Sequence, residues 1–247
     1  MQFHWRRLRA ATRATTACAV LAFAALTVAA PAAQAAESKF LAPGFVHLQK
    51  DSSVVLMPID VELFELSAGG VAEPKADWTA SAHEHMKTAL SGSTSRLGLK
   101  TLSMAEAEAD EFAELIGLQA AVARSINLHH AVGGNWALPS KEGKLDWTFG
   151  DSMQALQAKT GARYGLFIWV RDSYASSARK AAMVGLALLG VGISGGIQIG
   201  HASLVDLQTG SVLWFNRLAR GSGDLREPHS AHETISQLLT GFPSTAP

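Results

Sequence analysis

The chain alternates between two textures of hydrophobic and polar residues. The apolar run Ser53-Val-Val-Leu-Met-Pro58-Ile59 continues into Asp60-Val-Glu-Leu-Phe-Glu-Leu66, where charged and apolar positions alternate. A period of two marks a strand with one face buried. Pro58 has no N–H to give a ladder, so this strand is expected to bend or end there, or to lie at a sheet edge. Ala68-Gly69-Gly70 and Glu73-Pro74 mark a loop. The period then lengthens. Trp78, Ala82, Met86 and Ala89/Leu90 fall at helical spacing behind Asp77, the expected N-cap. Gly98 to Leu102 reads as a short strand. Ser103-Met-Ala-Glu106 has the form of a capping box for a second helix. That helix carries Phe112, Leu115, Ile116, Gln119, Val122 and Ile126 on one face.

Gly133 to Gly150 is a loop holding Trp136 and Trp147. A short helix is expected from Asp151 to Thr160, stopped by Gly161. Tyr164 to Val170 is aromatic and branched, hence a strand. His201 to Asp206 and Ser211 to Asn216 flank Leu207-Gln-Thr-Gly210, a hairpin with Asp entering the turn and Gly leaving it. A last helix runs from about Pro228 to Gly241, with Ile235, Leu238 and Leu239 inward. The order is β-α-β-α-(α)-β-β-β-α. It predicts a single α+β domain with a mixed sheet of about five strands and helices mainly on one face, because the last strands form a meander and the earlier pairs need crossovers.

The N-terminus belongs to a different class. Arg6, Arg7, Arg9 and Arg13 form a basic region without acids, Ala17 to Ala30 is apolar, and Ala33-Gln34-Ala35 has the small-residue form of a cleavage site. Residues 1–35 are therefore expected to be a signal peptide. A leader over 36–52, the domain over 53–242 and a tail over 243–247 would follow, in the periplasm. Leu8-Arg9 continues the Arg6-Arg7 pair poorly for twin-arginine export, which leaves the general secretion route. Cys18, the only cysteine, lies inside the apolar stretch behind Thr15-Thr16-Ala17, so it lacks the setting of a lipid anchor, and no disulfide is expected. The whole chain has 21 Lys+Arg and 21 Asp+Glu, and cleavage would remove four arginines and no acid, leaving 17 against 21. A mildly acidic product argues against nucleic acid, which needs a basic face.

The hairpin and the strand before it carry a resemblance. Ala162 to Val170, followed by Ala202-Ser-Leu-Val-Asp-Leu-Gln-Thr-Gly-Ser-Val-Leu-Trp214, resembles the periplasmic modules of the curli-secretion-channel and penicillin-binding-protein-activator lipoproteins. The resemblance implies a shared fold and a non-enzymatic part in envelope assembly or regulation. It brings over no site residues, since this chain lacks their terminal anchor cysteine.

Several constellations have the outline of catalytic motifs. Gly192-Ile193-Ser194-Gly195-Gly196 matches G-x-S-x-G, with Asp206, Asp224, His229 and His232 downstream, but a Gly-rich stretch precedes the serine where a strand is required. His83-Glu84-His85 and His232-Glu233 evoke zinc peptidases, yet the position four residues on is Lys87 or Ser236. His229 and His232, at i and i+3, could share a metal with Glu233 or Asp224. His129-His130 closes a helix and can serve its last carbonyls. The acids from Glu106 to Glu114 suit a helix start. No catalytic residue, metal site or cofactor is assigned from these patterns.

Ala181 to Gly200 is uncharged over twenty residues and spaces Gly192, Gly196 and Gly200 four apart. As one helix it would reach about 30 Å, a membrane span with a glycine contact face. If strand begins near Gly195, it is instead a short apolar helix or loop packed on the sheet or on another subunit. The basic flank Arg179-Lys180 would suit peripheral membrane contact. The expected function is a non-enzymatic exported envelope module for assembly, secretion or regulation, with envelope proteins or a second copy as partners. Gly192, Gly196, Gly200, Trp136 and Trp147 are its expected interaction surface. A periplasmic hydrolase or metal enzyme using Ser194 or His229/His232 is the alternative, decided by whether Ser194 Oγ meets an imidazole.

Overall fold

The computed structural model of the chain describes residues 39–246. The expected signal peptide, Cys18 and the first residues of the expected leader lie outside them, as does Pro247.

Pro58 breaks the first strand in two. β1 (Ser53–Leu56) pairs in parallel with β5 (Tyr164–Ala175) from Val54↔Tyr164 to Leu56↔Leu166. β2 (Asp60–Leu66) resumes along the same edge at Asp60↔Trp169. Met57, Pro58 and Ile59 thus span what Phe167 and Ile168 span on β5, so the extra residue makes a bulge. Side-chain parity switches there. Val54 and Leu56 share a core with Ile59, Val61 and Leu63, while Val55 and Met57 face the other core.

β5 is central. Its second edge pairs antiparallel with β6 (Gln198–Asp206), and β6 pairs antiparallel with β7 (Val212–Arg220). This is the expected meander. β4 (Lys100–Ser103) lies parallel outside β1, and β3 (Ala72–Pro74) antiparallel outside β2. Seven strands therefore fill five positions across one mixed sheet. The free edge of β7 is covered by chain. Leu41 bridges Trp214, Ala42 N donates to Leu213 O, and Phe215 N donates to Phe40 O. The tail comes back beside the same segment, with Leu48 bridging Thr245.

α1 (Ala76–Arg96) and α6 (Pro228–Leu238) share one face. Ala82, Met86, Ala89, Leu90, Ala231, Ile235 and Leu238 pack there against Leu166, Ile168, Val170, Leu204 and Trp214. The opposite face carries a core of its own. Ala123 and Ile126 of α3 (Ala113–Ile126) and Leu156 of α4 (Gln154–Thr160) join Leu145, Phe149 and Met153 over Val55, Phe167, Val205 and Phe215. The expectation of helices mainly on one face fits α1 and α6; the second core forms because β5 is apolar on both parities. Beyond Phe167 and Ser203 that second face turns mixed, with Trp169, Arg171, Ile199, His201 and Arg217.

Two helix starts move from their expected places for tertiary reasons. α1 begins at Ala76 without a side-chain cap. Lys75 N donates to Leu63 O, and Leu63 N donates to the Thr79 hydroxyl, so β2 fixes the start. Ser103, expected to cap, is drawn into β4 opposite Leu56. The role passes two residues on, where Glu108 Oε2 of α2 (Glu106–Ala109) accepts from Ala105 N at 3.1 Å. The Gly161 stop holds, with φ of 67° at the end of α4.

Candidate interaction surface

The uncharged segment becomes an arm rather than one helix. Ser176 caps α5 (Ser177–Ala187) by accepting from Arg179 N at 3.1 Å. The helix ends in a Schellman motif: Gly190, at φ 76°, donates to Ala187 O, and Val191 N donates to Leu186 O. A loop then returns to β6. Arg179 Nε holds Ser194 O at 2.8 Å, and Ser173 Oγ exchanges two hydrogen bonds with Ile197 N and O. No helix among the described residues is long and apolar enough to cross a membrane.

The shorter reading allowed packing on the sheet or on another subunit; α5 touches β5 but none of its residues is buried. Leu188 is 84% exposed and Leu189 78%, with Val184, Val191 and Ile197 at 66%, 48% and 50%. Gly192, Gly196 and Gly200 do not share a helix face. Gly192 is in the loop, and the other two serve β5. A Cβ on Gly196, whose φ is 147°, would overlap the Ser173 carbonyl, and one on Gly200 would stand 2.9 Å from Trp169 O.

The root of the arm is a buried polar clamp that sequence reading passed over. Asp172 is 2% exposed. It accepts from Ser173 N at 2.8 Å, Tyr174 OH at 2.5 Å and Gln198 Nε2 at 2.6 Å. Gln198 Oε1 accepts from Arg220 Nε and from Thr234 Oγ1, so β5, β6, β7 and α6 are tied together. Tyr174 OH also accepts from Leu225 N at 2.7 Å, beneath an Arg226 guanidinium that pairs with Asp224 at 2.6 Å. Burial raises the Asp172 pKa against the hydrogen bonds that lower it, and burial followed by the Asp172 bond raises that of Tyr174. The parity of Leu166, Ile168, Val170 and Asp172 was the available signal, since it places a carboxyl in line with core residues.

The other expected sites scatter. Ser194 Oγ donates to Gly196 O and accepts from Gly196 N, at 3.0 and 3.2 Å, so its partners are backbone and not imidazole. His229 pairs with Glu233 at 3.2 Å while 87% exposed, and Asp224 is committed to Arg226. His83 turns to Glu106 at 3.2 Å and His85 to Leu225 O, in divergent directions. No cluster of three or more metal-ligating side chains occurs among the described residues. His129 and His130 donate to the carbonyls of Trp136 and Lys39. Trp147 stacks on His129 with centroids 6.5 Å apart and packs into the second core, whereas Trp136 is 60% exposed.

No family model matches the chain, and no curated protein matches it. Solved structures similar to it include a PelC dodecamer from Paraburkholderia phytofirmans, 14% identical over 81% of this chain and 92% of that one, with a TM-score of 0.37. The lipoprotein GNA1162 from Neisseria meningitidis is 14% identical over 76% and 96%, at 0.31. The LpoB C-terminal domain from Salmonella enterica is 13% identical over 72% and 87%, at 0.27. These likenesses are distant, and no role passes from them to this chain.

Proposed function

We propose that the chain is an exported, non-enzymatic interaction module of the cell envelope, and that the arm from Ser177 to Ile197 is the part that touches its partner. One observation carries this reading: Leu188 and Leu189 stand 84% and 78% exposed at the tip of a segment whose root is clamped through Asp172 and Gln198. Adjacent exposed leucines favour a contact that covers them, since burying each is worth about 1.5–3 kcal/mol. The clamp holds the arm at a fixed exit from the sheet, so little order has to be created on binding. The partner is an envelope protein or a second copy of the chain. Export is read from Arg6 to Ala35, and the Ser194 hydrogen bonds give no support to the hydrolase alternative.

The test is crosslinking in cells with identification of what is captured, beside light scattering of the purified chain without detergent. Leu188→Glu with Leu189→Glu should remove the captured species or reduce the solution mass. Capture and mass unchanged in a folded double variant would overturn the assignment. Recovery of the chain only with membranes, and free of protein partners, would do the same.

A further inference from the structure

A cavity of about 120 Å³ opens on the mixed part of the second sheet face, lined by Arg124, Asn127, Trp169, His201, Arg217 and neighbours that include no acid. The sheet register builds most of it. Trp169, His201 and Arg217 are paired in one row across β5, β6 and β7, and α3 supplies Arg124 from above. His201 is only 5% exposed, held between Trp169 at 5.2 Å and Phe215 at 5.5 Å in near-parallel stacks. Its ring nitrogens make no hydrogen bond among the described residues. The buried side-chain nitrogen and oxygen atoms without a partner among the described residues are Trp147 Nε1 and Trp214 Nε1, so the His201 nitrogens are reached from the cavity and are free to donate to a ligand there.

The arginines point the same way. Among the described residues, every other arginine guanidinium is engaged: Arg96 with Ser93, Arg163 with Asp206, Arg171 with Asp60, Arg179 with Ser194 O, Arg220 with Gln198 and Arg226 with Asp224. Arg124 and Arg217 alone have neither a hydrogen bond nor an ion pair to protein at the guanidinium; both are solvent-exposed, and both line this cavity, so a ligand there would displace only water from them. The nearby carboxylates of Asp60 and Glu62 are taken by Arg171. Burial, with Arg124 and Arg171 nearby, pushes the His201 pKa down to about 4 against the pull of Asp60, so the ring is neutral at pH 7 and offers one N–H.

We propose that this cavity binds a phosphate group, gripped by the Arg124 and Arg217 guanidiniums with the His201 imidazole and Asn127 amide as further donors. Guanidinium forks match phosphate oxygens, and the volume admits one tetrahedral group with little attached to it. The site is independent of the arm and of the role proposed for it.

Trp169 in the wall supplies the readout. The chain purified from cells expressing the full sequence is titrated with inorganic phosphate, glycerol 3-phosphate and acetate at constant ionic strength and pH 7, following tryptophan fluorescence and calorimetry. Saturable one-site binding of phosphate or its monoester is expected. Arg124→Gln and Arg217→Gln should each weaken it at least about tenfold. His201→Phe keeps the aromatic stack and should weaken binding without lowering the melting temperature, a split that a purely structural histidine would not give. Equal binding of both phosphates assigns a free or esterified ion alike, and preference for the ester assigns a headgroup. Absence of saturable binding to the wild-type chain, undiminished binding in the double arginine variant, or acetate binding as tightly as phosphate would overturn the proposal.

Discussion

Replacing Asp172 by Ala removes the acceptor at the centre of the clamp. Three donors lose their partner: the Ser173 N–H, the Tyr174 hydroxyl and the Gln198 amide. Gln198 is 1% exposed, so water does not reach its amide, whereas Tyr174 and Ser173 are only half-buried and recover part of their loss. An unsatisfied buried donor costs about 1–3 kcal/mol, so one full and two partial losses give about 3–4 kcal/mol. For a domain of this size that lowers the melting temperature by about 10 °C, measurable by calorimetry or circular dichroism. The pH dependence has a definite sign. Burial holds the folded Asp172 pKa above its ordinary value of 3.8, so the folded state retains the proton longer than the unfolded chain. The stability this carboxyl contributes is fully present below pH 3.8 and declines as pH rises through the folded pKa. The stability gap between wild type and Asp172→Ala should therefore narrow over that window and stay constant above it. A loss under about 1 kcal/mol at pH 7, or a gap that widens with rising pH, would refute the clamp.

Three further perturbations separate arm from body. Leu188→Glu with Leu189→Glu should leave the melting temperature within about 2 °C, since both side chains are exposed, while weakening association about a hundredfold or more in a binding titration. Gly196→Ala should destabilise by about 2 kcal/mol or more in a denaturant melt, because a Cβ there meets the Ser173 carbonyl at a backbone φ of 147°. Asp206→Ala should cost about 3 kcal/mol in the same melt, since this nearly buried carboxylate pairs with Arg163 at 2.7 Å and holds the hairpin turn through Gln208 N and Thr209 N.

The parts legible in the sequence were those decided within a few residues. Pro58 interrupts a strand because it lacks a donor wherever it sits. Gly161 ends α4 and Gly210 closes the hairpin because both hold positive φ. Ala82, Met86, Ala89 and Leu90 are buried as their spacing required. What failed was what distant chain decided. A Ser-x-x-Glu pattern names a cap only if its serine is free, and Leu56 had claimed Ser103 for β4. The extent of β5 was misjudged at Val170 because Arg171 and Asp172 look like the end of an apolar run. They continue it, since each finds its charge partner or donors across the sheet, Arg171 at Asp60 and Asp172 at Gln198.

The same reasoning bears on function. A charged or polar residue at a core position is costly unless something elsewhere satisfies it, so its partner has to be sought before its role is named. Asp172 passes that test within the chain: its donors are all present, and its work is structural, fixing the root of the arm. His201 does not pass it. It occupies an equivalent place on the opposite parity of the sheet, it is as deeply set as a core residue, and the two guanidiniums beside it are uncommitted as well. The sheet satisfies one buried polar group with three donors and leaves another facing a cavity flanked by two solvent-exposed arginines. That asymmetry separates the clamp, which needs nothing from outside, from the cavity, whose donors are free to take an acceptor from outside the chain.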